Sequence, residues 1–430
     1  MRDMGRSDDP RVQAQLDRLS SLSIQRDTLG LDTVRELLRR LGDPQDRLAP
    51  TFHVAGTNGK GSTCAFLRAM LEAAGHRVHV TTSPHLVRYN ERFRVAGTLI
   101  DDARLADLLE EVFDAATGLG CSFFEITIAA AFTEFARVPA DACVVEVGLG
   151  GRLDATNVLD ADVLISCGIA ALGIDHERFL LAPESSVPDD PMARIAFEKA
   201  GIAKSGVPLV TLNYGAGETL EIERAALRAG TALKMHGREW HASLDDAGLH
   251  YRDFAGVLDL PHPSLPGLHQ AANAGLAVAM LRHQERVAAA PADLARGLRE
   301  AVWPARLQRL SPGPLAGERA VFLDGGHNRS AGLALAEAIE GEHHLVIGML
   351  DNKDPRALIE PLADRTRSIQ VVPVPGHDAH RAEVFGSSAI ARVDLADAFA
   401  HLPADDAPVL VTGSLYLAGE ALRLNREIPD

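Results

Sequence analysis

The stretch HVAGTNGKGST, residues 53–63, decides how the rest of the chain is read. Three glycines, one lysine and three hydroxyl residues fall within eight positions, between the strand-like TFHVA of residues 51–55 and the helix-like STCAFLRAMLEAAG of residues 62–75. A strand, a glycine-rich turn and a helix in that order turn backbone N–H groups inward and set the positive end of the helix dipole beside them, which makes an anion cradle. Lys60 adds a full charge for the β- and γ-phosphates of a nucleotide, and Ser62 or Thr63 can reach a Mg2+ ion or a phosphate oxygen. Thr57, Asn58, Gly59, Lys60, Gly61 and Ser62 are therefore the candidate nucleotide loop. The pattern G-x-x-x-x-G-K-[ST] is not strictly met, because Val54 stands at the first glycine position and Gly61 follows the lysine.

Outward from this loop, short apolar runs alternate with helical stretches: TFHVA, RVHVTT, ACVVEVG, ADVLISCG and VPLVTL are separated by helix-like segments, one of them near Leu105–Thr117. That alternation predicts βαβ units and a mainly parallel sheet, with chemistry in the loops after the strands. Residues 234–260 break the rhythm and read as a hairpin-rich insertion. A second series follows AVWPARLQRL: AVFLDGGHN, HHLVIGML, SIQVVPV and APVLVTGS, each followed or preceded by a helix. The expected fold is α/β, a P-loop-containing, mainly parallel sheet domain over residues 1–303 and a smaller Rossmann-like α/β domain over 304–430. The junction is placed at Trp303-Pro304 because proline interrupts the preceding helix.

The bulk composition narrows the function classes. A chain of 430 residues, 46% apolar and 24% charged, can bury a large core, and no apolar run approaches the length of a membrane span. The N-terminal MRDMGRSDDP has no apolar core of a secretory signal, so the cytoplasm is expected. Cys64, Cys121, Cys143 and Cys167 are widely spaced and read as reduced, buried small hydrophobes. A net charge of -16 with no basic run excludes a nucleic-acid partner, and anionic ligands must be met by local cations or metal.

Further candidates stand at strand ends. Glu146 closes the apolar strand VVEVG, where a buried carboxylate is costly unless paired or metal-bound, and with the Ser83 hydroxyl it suits Mg2+. His176 in GIDH is a possible third ligand or an ordinary loop histidine, and Lys199 in AFEKAGIAK reads on helix periodicity as a surface lysine. Neither can be assigned from physics alone.

Taken together, HVAGTNGKGS, TSPHLVRYNERFRV, FFEITIAAAF, EVGLGGRLDATNV, EKAGIAK, LPGLHQAANA, WPARLQ, LDGGHN, GMLDNKD and TGSLYLAGEAL, in that order, resemble folylpolyglutamate synthase/dihydrofolate synthase, a branch of the Mur ligase superfamily. The likeness runs from about Leu31 onward, and the Gly-Lys-Gly-Ser form of the loop belongs to that branch. The resemblance implies an ATP-dependent ligase: a substrate carboxylate takes the γ-phosphate as an acyl phosphate, and the amine of L-glutamate then attacks it. It implies ATP, two Mg2+ sites, L-glutamate and dihydropteroate or a reduced folate as ligands, and a monomer. Ser83 and Glu146 would hold one Mg2+ and His176 would help hold a second; Lys199 would be carbamylated by CO2. Asn273, Arg306 and Asp324 match nucleotide positions, while His327, Ser414 and Arg92 match positions near the glutamate and the reaction centre. Ser122, Phe124, Asp154 and Ala155 match positions around the pterin ring.

Some features depart from that pattern. LLAPESSVPDDPMA, residues 180–193, is an insertion between His176 and Lys199, WPAR replaces Trp-Pro-Gly-Arg, and Gly326 stands where alanine is common. A P-loop kinase or NTPase would not need the second domain carrying Arg306, Asp324 and His327. A cell-wall Mur ligase would carry a separate UDP-binding domain ahead of its P-loop, and a non-catalytic ATP-binding module would not need Lys60, Glu146, Lys199 and His327. The SPHLVRY segment favours the bifunctional enzymes.

Overall fold

The computed structural model describes residues 6–22, 30–175 and 177–430. Its first sheet contains β1 (Thr51–Ala55), β2 (Val78–Thr81), β3 (Arg94–Val95), β4 (Thr98–Leu99), β5 (Ala142–Glu146), β6 (Leu164–Ile169), β7 (Leu209–Thr211) and β8 (Leu233–Met235). They lie in the order β4-β3-β2-β5-β1-β6-β7-β8. Only β3 runs against the rest, antiparallel to both β2 and β4. Every residue of β1, β5 and β6 is buried, as expected for parallel strands covered on both faces. Phe52 and Val54 point into a layer shared with helices Lys60–Ala73, His269–Arg282 and Pro291–Glu300. Ala55 points the other way, into a layer with helices Asp32–Arg40, Asp102–Ala115 and Phe123–Arg137.

Position in the sheet follows from pairing. β1 lies between β5 and β6, with Val54 opposite Glu146 and Ala55 opposite Ile169. The carboxyl ends of three neighbouring strands therefore deliver the 56–62 turn, the 147–154 loop and the 170–175 loop to one place.

The expected insertion starts later than the sequence pattern suggests. Leu233–Met235 extends the main sheet by pairing with buried β7, because Met235 is fully buried there. The antiparallel unit is β9 (Trp240–Asp245), β10 (Gly248–Asp253) and β11 (Gly256–Leu260). Trp240 and Tyr251 stack at 6.0 Å between ring centroids and anchor it. The absence of a side chain at Gly275 allows it to lie against Ala242 and Trp240.

The second, smaller domain contains β12 (Gln308–Arg309), β13 (Val321–Leu323), β14 (His343–Ile347), β15 (Thr366–Val371), β16 (Ala389–Ala391) and β17 (Val409–Thr412). Their order is β12-β13-β17-β14-β15-β16, antiparallel only at β12. β17 is flanked by β13 and β14, so the turns Asp324–His327 and Gly413–Ser414 emerge side by side. The chain leaves the first core at Ala301 and enters the second at Ala305. The loop carrying Leu86 and Val87 crosses back and packs on the second core. Helix Leu415–Asn425 meets it at Gly419, where any side chain would strike the Leu86 carbonyl. All four cysteines are free and buried. No helix among the described residues is long and apolar enough to cross a membrane.

Candidate active site

A cavity of about 1440 Å3 opens where the carboxyl ends of the two sheets face each other. Apart from Thr63, all of the site residues named from the sequence line it, with two exceptions. Lys199 lies behind its wall, and His176 falls outside the described residues.

The 56–62 turn is shaped by close packing. Gly59 has φ 81°, in the left-handed region, and the Asn273 amide occupies the space where a side chain would stand. Gly61, the glycine that departs from the strict loop pattern, lies under Trp303: a Cβ there would come within 2.6 Å of the indole. The departure therefore lets the segment joining the two domains seat on the loop. Gly61→Ala should lower stability by about 1–3 kcal/mol through overpacking, and the loss should shrink in a Trp303→Ala background. Chemical denaturation of the four variants measures both.

The structure separates the two hydroxyls at the helix start. Thr63 donates its hydroxyl to the Gly59 carbonyl at 2.9 Å, whereas the buried Ser62 Oγ has no hydrogen-bond partner among the described residues. An orphaned buried oxygen at a helix N-terminus fits a phosphate or a hard cation. Lys60 Nζ lies 3.9 Å from Glu146 Oε1 and donates to the Thr57 carbonyl at 3.5 Å.

Glu146 is 5% exposed and accepts the Ser83 backbone N–H at 3.0 Å. Burial raises its pKa, and the charges of Lys60, Arg306 and Arg92 work against that rise. Among the described residues no group of three or more His, Cys, Asp and Glu is placed to hold a metal. A cation at Glu146 would thus complete its shell with hydroxyls, phosphate oxygens and water, which is how Mg2+ is commonly held.

Lys199 is not the surface lysine that helix periodicity suggests. It is 4% exposed, in helix Pro191–Ala200. The helix backbone at Glu198 and Lys199 presses on Gly151, which has no side chain to interfere. Burial first, and then the charge of Lys60, bring the Lys199 amine down to about 7, against the pull of Asp175, Asp154 and Glu198. Glu198 is engaged by Arg152 at 2.9 Å and Arg194 at 3.3 Å. Both arginines also bind Glu184, at 2.6 and 2.8 Å. Glu184 belongs to the inserted segment, so the insertion is stapled to the helix that carries Lys199.

Contacts across the cleft join the domains. Asn58 donates to Asn328 at 3.3 Å and Asn328 donates back at 2.9 Å. Asp175 faces His327 Nε2 at 3.3 Å and also pairs with Lys353. Sequence reasoning did not single out Asp175, Asn328 or Lys353, although each lies inside a quoted motif or beside a quoted residue. Asp324 accepts from the backbone of Gly326 at 2.7 Å and of Leu307 at 2.8 Å, tying its turn to the Arg306 segment. Ser414 caps helix Leu415–Asn425, accepting from Tyr416 N–H at 3.1 Å.

The far end of the cavity is lined by Phe123 and Phe124 together with Ser122, Asp154 and Arg92. Phe124 packs on Gly148. Ser122 caps helix Phe123–Arg137 in a reciprocal box with Glu125. Ala155 lies beside Asp154, whose carboxylate accepts from the backbone of Thr156 at 3.0 Å and of Leu149 at 2.8 Å. Arg92 is buried; its Nε donates to His85 Nδ1 at 2.9 Å, and its guanidinium sits 5.3 and 5.5 Å from the Phe123 and Tyr89 ring centroids. Glu91, not foreseen, accepts from three successive N–H groups, of Leu86, Val87 and Arg88, and shapes the loop that enters the second domain.

A nucleotide-type loop on a parallel sheet, facing a second α/β domain over a shared cavity, is the Mur ligase architecture. Comparison with known proteins narrows this. The chain is 30% identical over 432 residues to the dihydrofolate synthetase of Saccharomyces cerevisiae, covering 92% of this chain and 98% of that one. It is 36% identical over 346 residues to the dihydrofolate synthase/folylpolyglutamate synthase of Escherichia coli, covering 79% and 75%. A Halobacterium salinarum relative, 33% identical over 428 residues, is longer, and the chain spans 49% of it. Among solved structures, Escherichia coli FolC in complex with DHPP and ADP superposes with a TM-score of 0.82 at 30% identity over 96% of this chain and 97% of that one. A bifunctional folylpolyglutamate synthase/dihydrofolate synthase with Mn, AMPPNP and L-glutamate bound matches with a TM-score of 0.82 at 30% identity, covering 98% and 99%. No family model matches the chain. The chain belongs to the folylpolyglutamate synthase/dihydrofolate synthase family of ATP-dependent ligases.

Proposed function

We propose that this protein joins L-glutamate to a pterin-bearing acid, accepting both dihydropteroate and reduced folates, with ATP cleaved to ADP and phosphate. One observation carries the reading: the cradle around Lys60, the second-domain residues Arg306, His327 and Ser414, and the aromatic end at Phe124 all line one cavity. That cavity is large enough for three ligands end to end.

In this reading an oxygen of the substrate carboxylate attacks the γ-phosphorus and ADP leaves. The glutamate amine then attacks the acyl carbon, loses a proton and expels phosphate. The 56–62 loop and Lys60 hold the phosphates, with Asn273, Arg306 and Asp324 around the rest of the nucleotide. Glu146, Ser83 and the Ser62 hydroxyl would hold Mg2+, which would offset charge on the transferring phosphoryl, and the family resemblance assigns His176 to a second ion. Arg92, His327 and Ser414 face the glutamate and the reacting carboxyl, while Ser122, Phe124, Asp154 and Ala155 surround the pterin ring. Lys199 acts as a carbamate, because an amine brought down to about 7 is available to CO2. The contacts Asn58–Asn328 and Asp175–His327 close the cleft and keep water from the acyl phosphate.

The same reading places the domain junction at 303/304 and the protein, as a monomer, in the cytoplasm, without nucleic-acid or membrane partners. Incubation with ATP, Mg2+ and labelled glutamate, with dihydropteroate and tetrahydrofolate offered separately, should label both products. Label in neither would overturn the assignment; label only with tetrahydrofolate would reduce it to folylpolyglutamate synthesis.

A further inference from the structure

Behind the pterin end of the cavity runs a line of three buried polar side chains, two of which have no part in the reaction as described. His53, in the middle of β1, is fully buried, and its Nε2 lies 2.8 Å from Thr156 Oγ1. Thr156, equally buried, donates that hydroxyl to Asp154 Oδ1. The other carboxylate oxygen accepts from the Leu149 backbone. A hydroxyl carries one hydrogen, and Asp154 takes it, so His53 is the donor to Thr156 and carries its proton on Nε2. Nδ1 is left without a hydrogen-bond partner among the described residues. Burial and the nearby charge of Lys204 bring His53 down to about 3, so the ring stays neutral and keeps that single tautomer at working pH.

Burying three polar side chains, one on β1 and two on the turn at residues 154–158 that packs beside it, carries a desolvation penalty that apolar residues of the same volume would avoid. The line ends on the carboxylate that faces the pterin ring. The amino-pyrimidine edge of a pterin presents N–H donors. With Asp154 Oδ1 taking the Thr156 hydroxyl and backbone N–H and Oδ2 taking the Leu149 N–H, an ionised, correctly rotated carboxylate has one site left on Oδ2, for the 2-amino group. Burial alone pushes Asp154 toward its neutral form, and the bonds from Thr156 and Leu149 oppose that.

We propose that Thr156 and His53 are positioning residues for the pterin substrate: together they fix the rotation and charge of Asp154 so that it accepts the 2-amino N–H of the ring. The inference rests on the reading of Asp154 given under the proposed function. It also explains why a histidine stands in β1, since the strand that ends in the nucleotide loop thereby sets the position of the pterin end as well.

The test compares wild type with Thr156→Val, which keeps the shape and removes the hydroxyl, Thr156→Ser, which keeps the hydroxyl, and His53→Gln. Each is assayed for the KM of dihydropteroate, ATP and glutamate, and again with a pterin analogue lacking the 2-amino group. Thr156→Val should raise the dihydropteroate KM about tenfold, the equivalent of one charge-assisted hydrogen bond of about 1.4 kcal/mol. The KM values for ATP and glutamate should stay within twofold, Thr156→Ser should restore the wild-type value, and the analogue should not distinguish wild type from Thr156→Val. His53→Gln should shift the same KM alone by a smaller factor, which keeps the test open if Thr156→Val does not fold. An unchanged dihydropteroate KM, equal rises for all three substrates, or an equal effect on the analogue would overturn the proposal. Failure of wild type itself to use dihydropteroate would instead overturn the functional reading beneath it.

Discussion

Lys60→Ala is expected to reduce phosphate release, measured with ATP, acyl acceptor and glutamate together, by at least about a thousandfold. The removal of one preorganised electrostatic group at a reaction centre typically lowers turnover by 10²–10³, and here the loss has a second part. Lys60 is the nearest cation to Glu146 and the largest of the charges that counter its burial. Without it the carboxyl drifts further toward its neutral form, and the cation site weakens with the phosphate site. Glu146→Gln should therefore fall by a similar factor, and the double variant should be little worse than either single one, because the two groups act as a unit. Turnover retained in either single variant would refute the assigned roles.

Lys199→Ala is expected to lose at least about a hundredfold in activity, and a short carboxylic acid such as acetate should restore part of it by supplying the missing anion. The reasoning starts from the amine. In water a lysine near 10.5 is almost wholly charged at pH 7, and an ammonium cannot react with CO2. Here burial and Lys60 bring the amine to about 7, and this depression means that the charged form prevails below that pH and the free amine above it. Falling from pH 8 to pH 6, the free-amine fraction drops from roughly nine-tenths to roughly one-tenth. The bicarbonate concentration needed for half-maximal activity should rise correspondingly, and 13C-bicarbonate should give a carbamate resonance that is lost in Lys199→Ala. Full activity of Lys199→Ala, without added acid, would end the carbamate proposal.

These two side chains also show how unevenly the site could be read from sequence. Lys60 announces itself: a glycine-rich turn between a strand and a helix has few conformations, and the chemistry of the loop is set by residues adjacent in the chain. Lys199 does not. It stands on a helix whose periodicity suggests solvent, and only the family resemblance marked it. Its burial depends on Gly151 letting the helix approach and on Glu184, Arg152 and Arg194 holding it there. Trp303 is a similar case, read as a mere junction, yet it lies on Gly61 and accounts for the departure of the loop from the strict pattern. The two sheets were legible because strand and helix runs alternate with clear periods. The start of the antiparallel unit was misplaced because an edge strand and a hairpin strand have the same alternation until a pairing partner is known.

From its residues alone, this chain determined an α/β fold in two parts and an anion cradle at residues 56–62, because hydrophobic periodicity and turn chemistry act over a few neighbouring positions. The tertiary structure decided which hydroxyl of the cradle stays free, how strongly Lys199 holds its proton, and which groups face each other across the cleft. Those properties depend on burial and on distances between charges, and the partners involved, Asn58 with Asn328 or Asp175 with His327, are far apart along the chain and meet only when both sheets have formed.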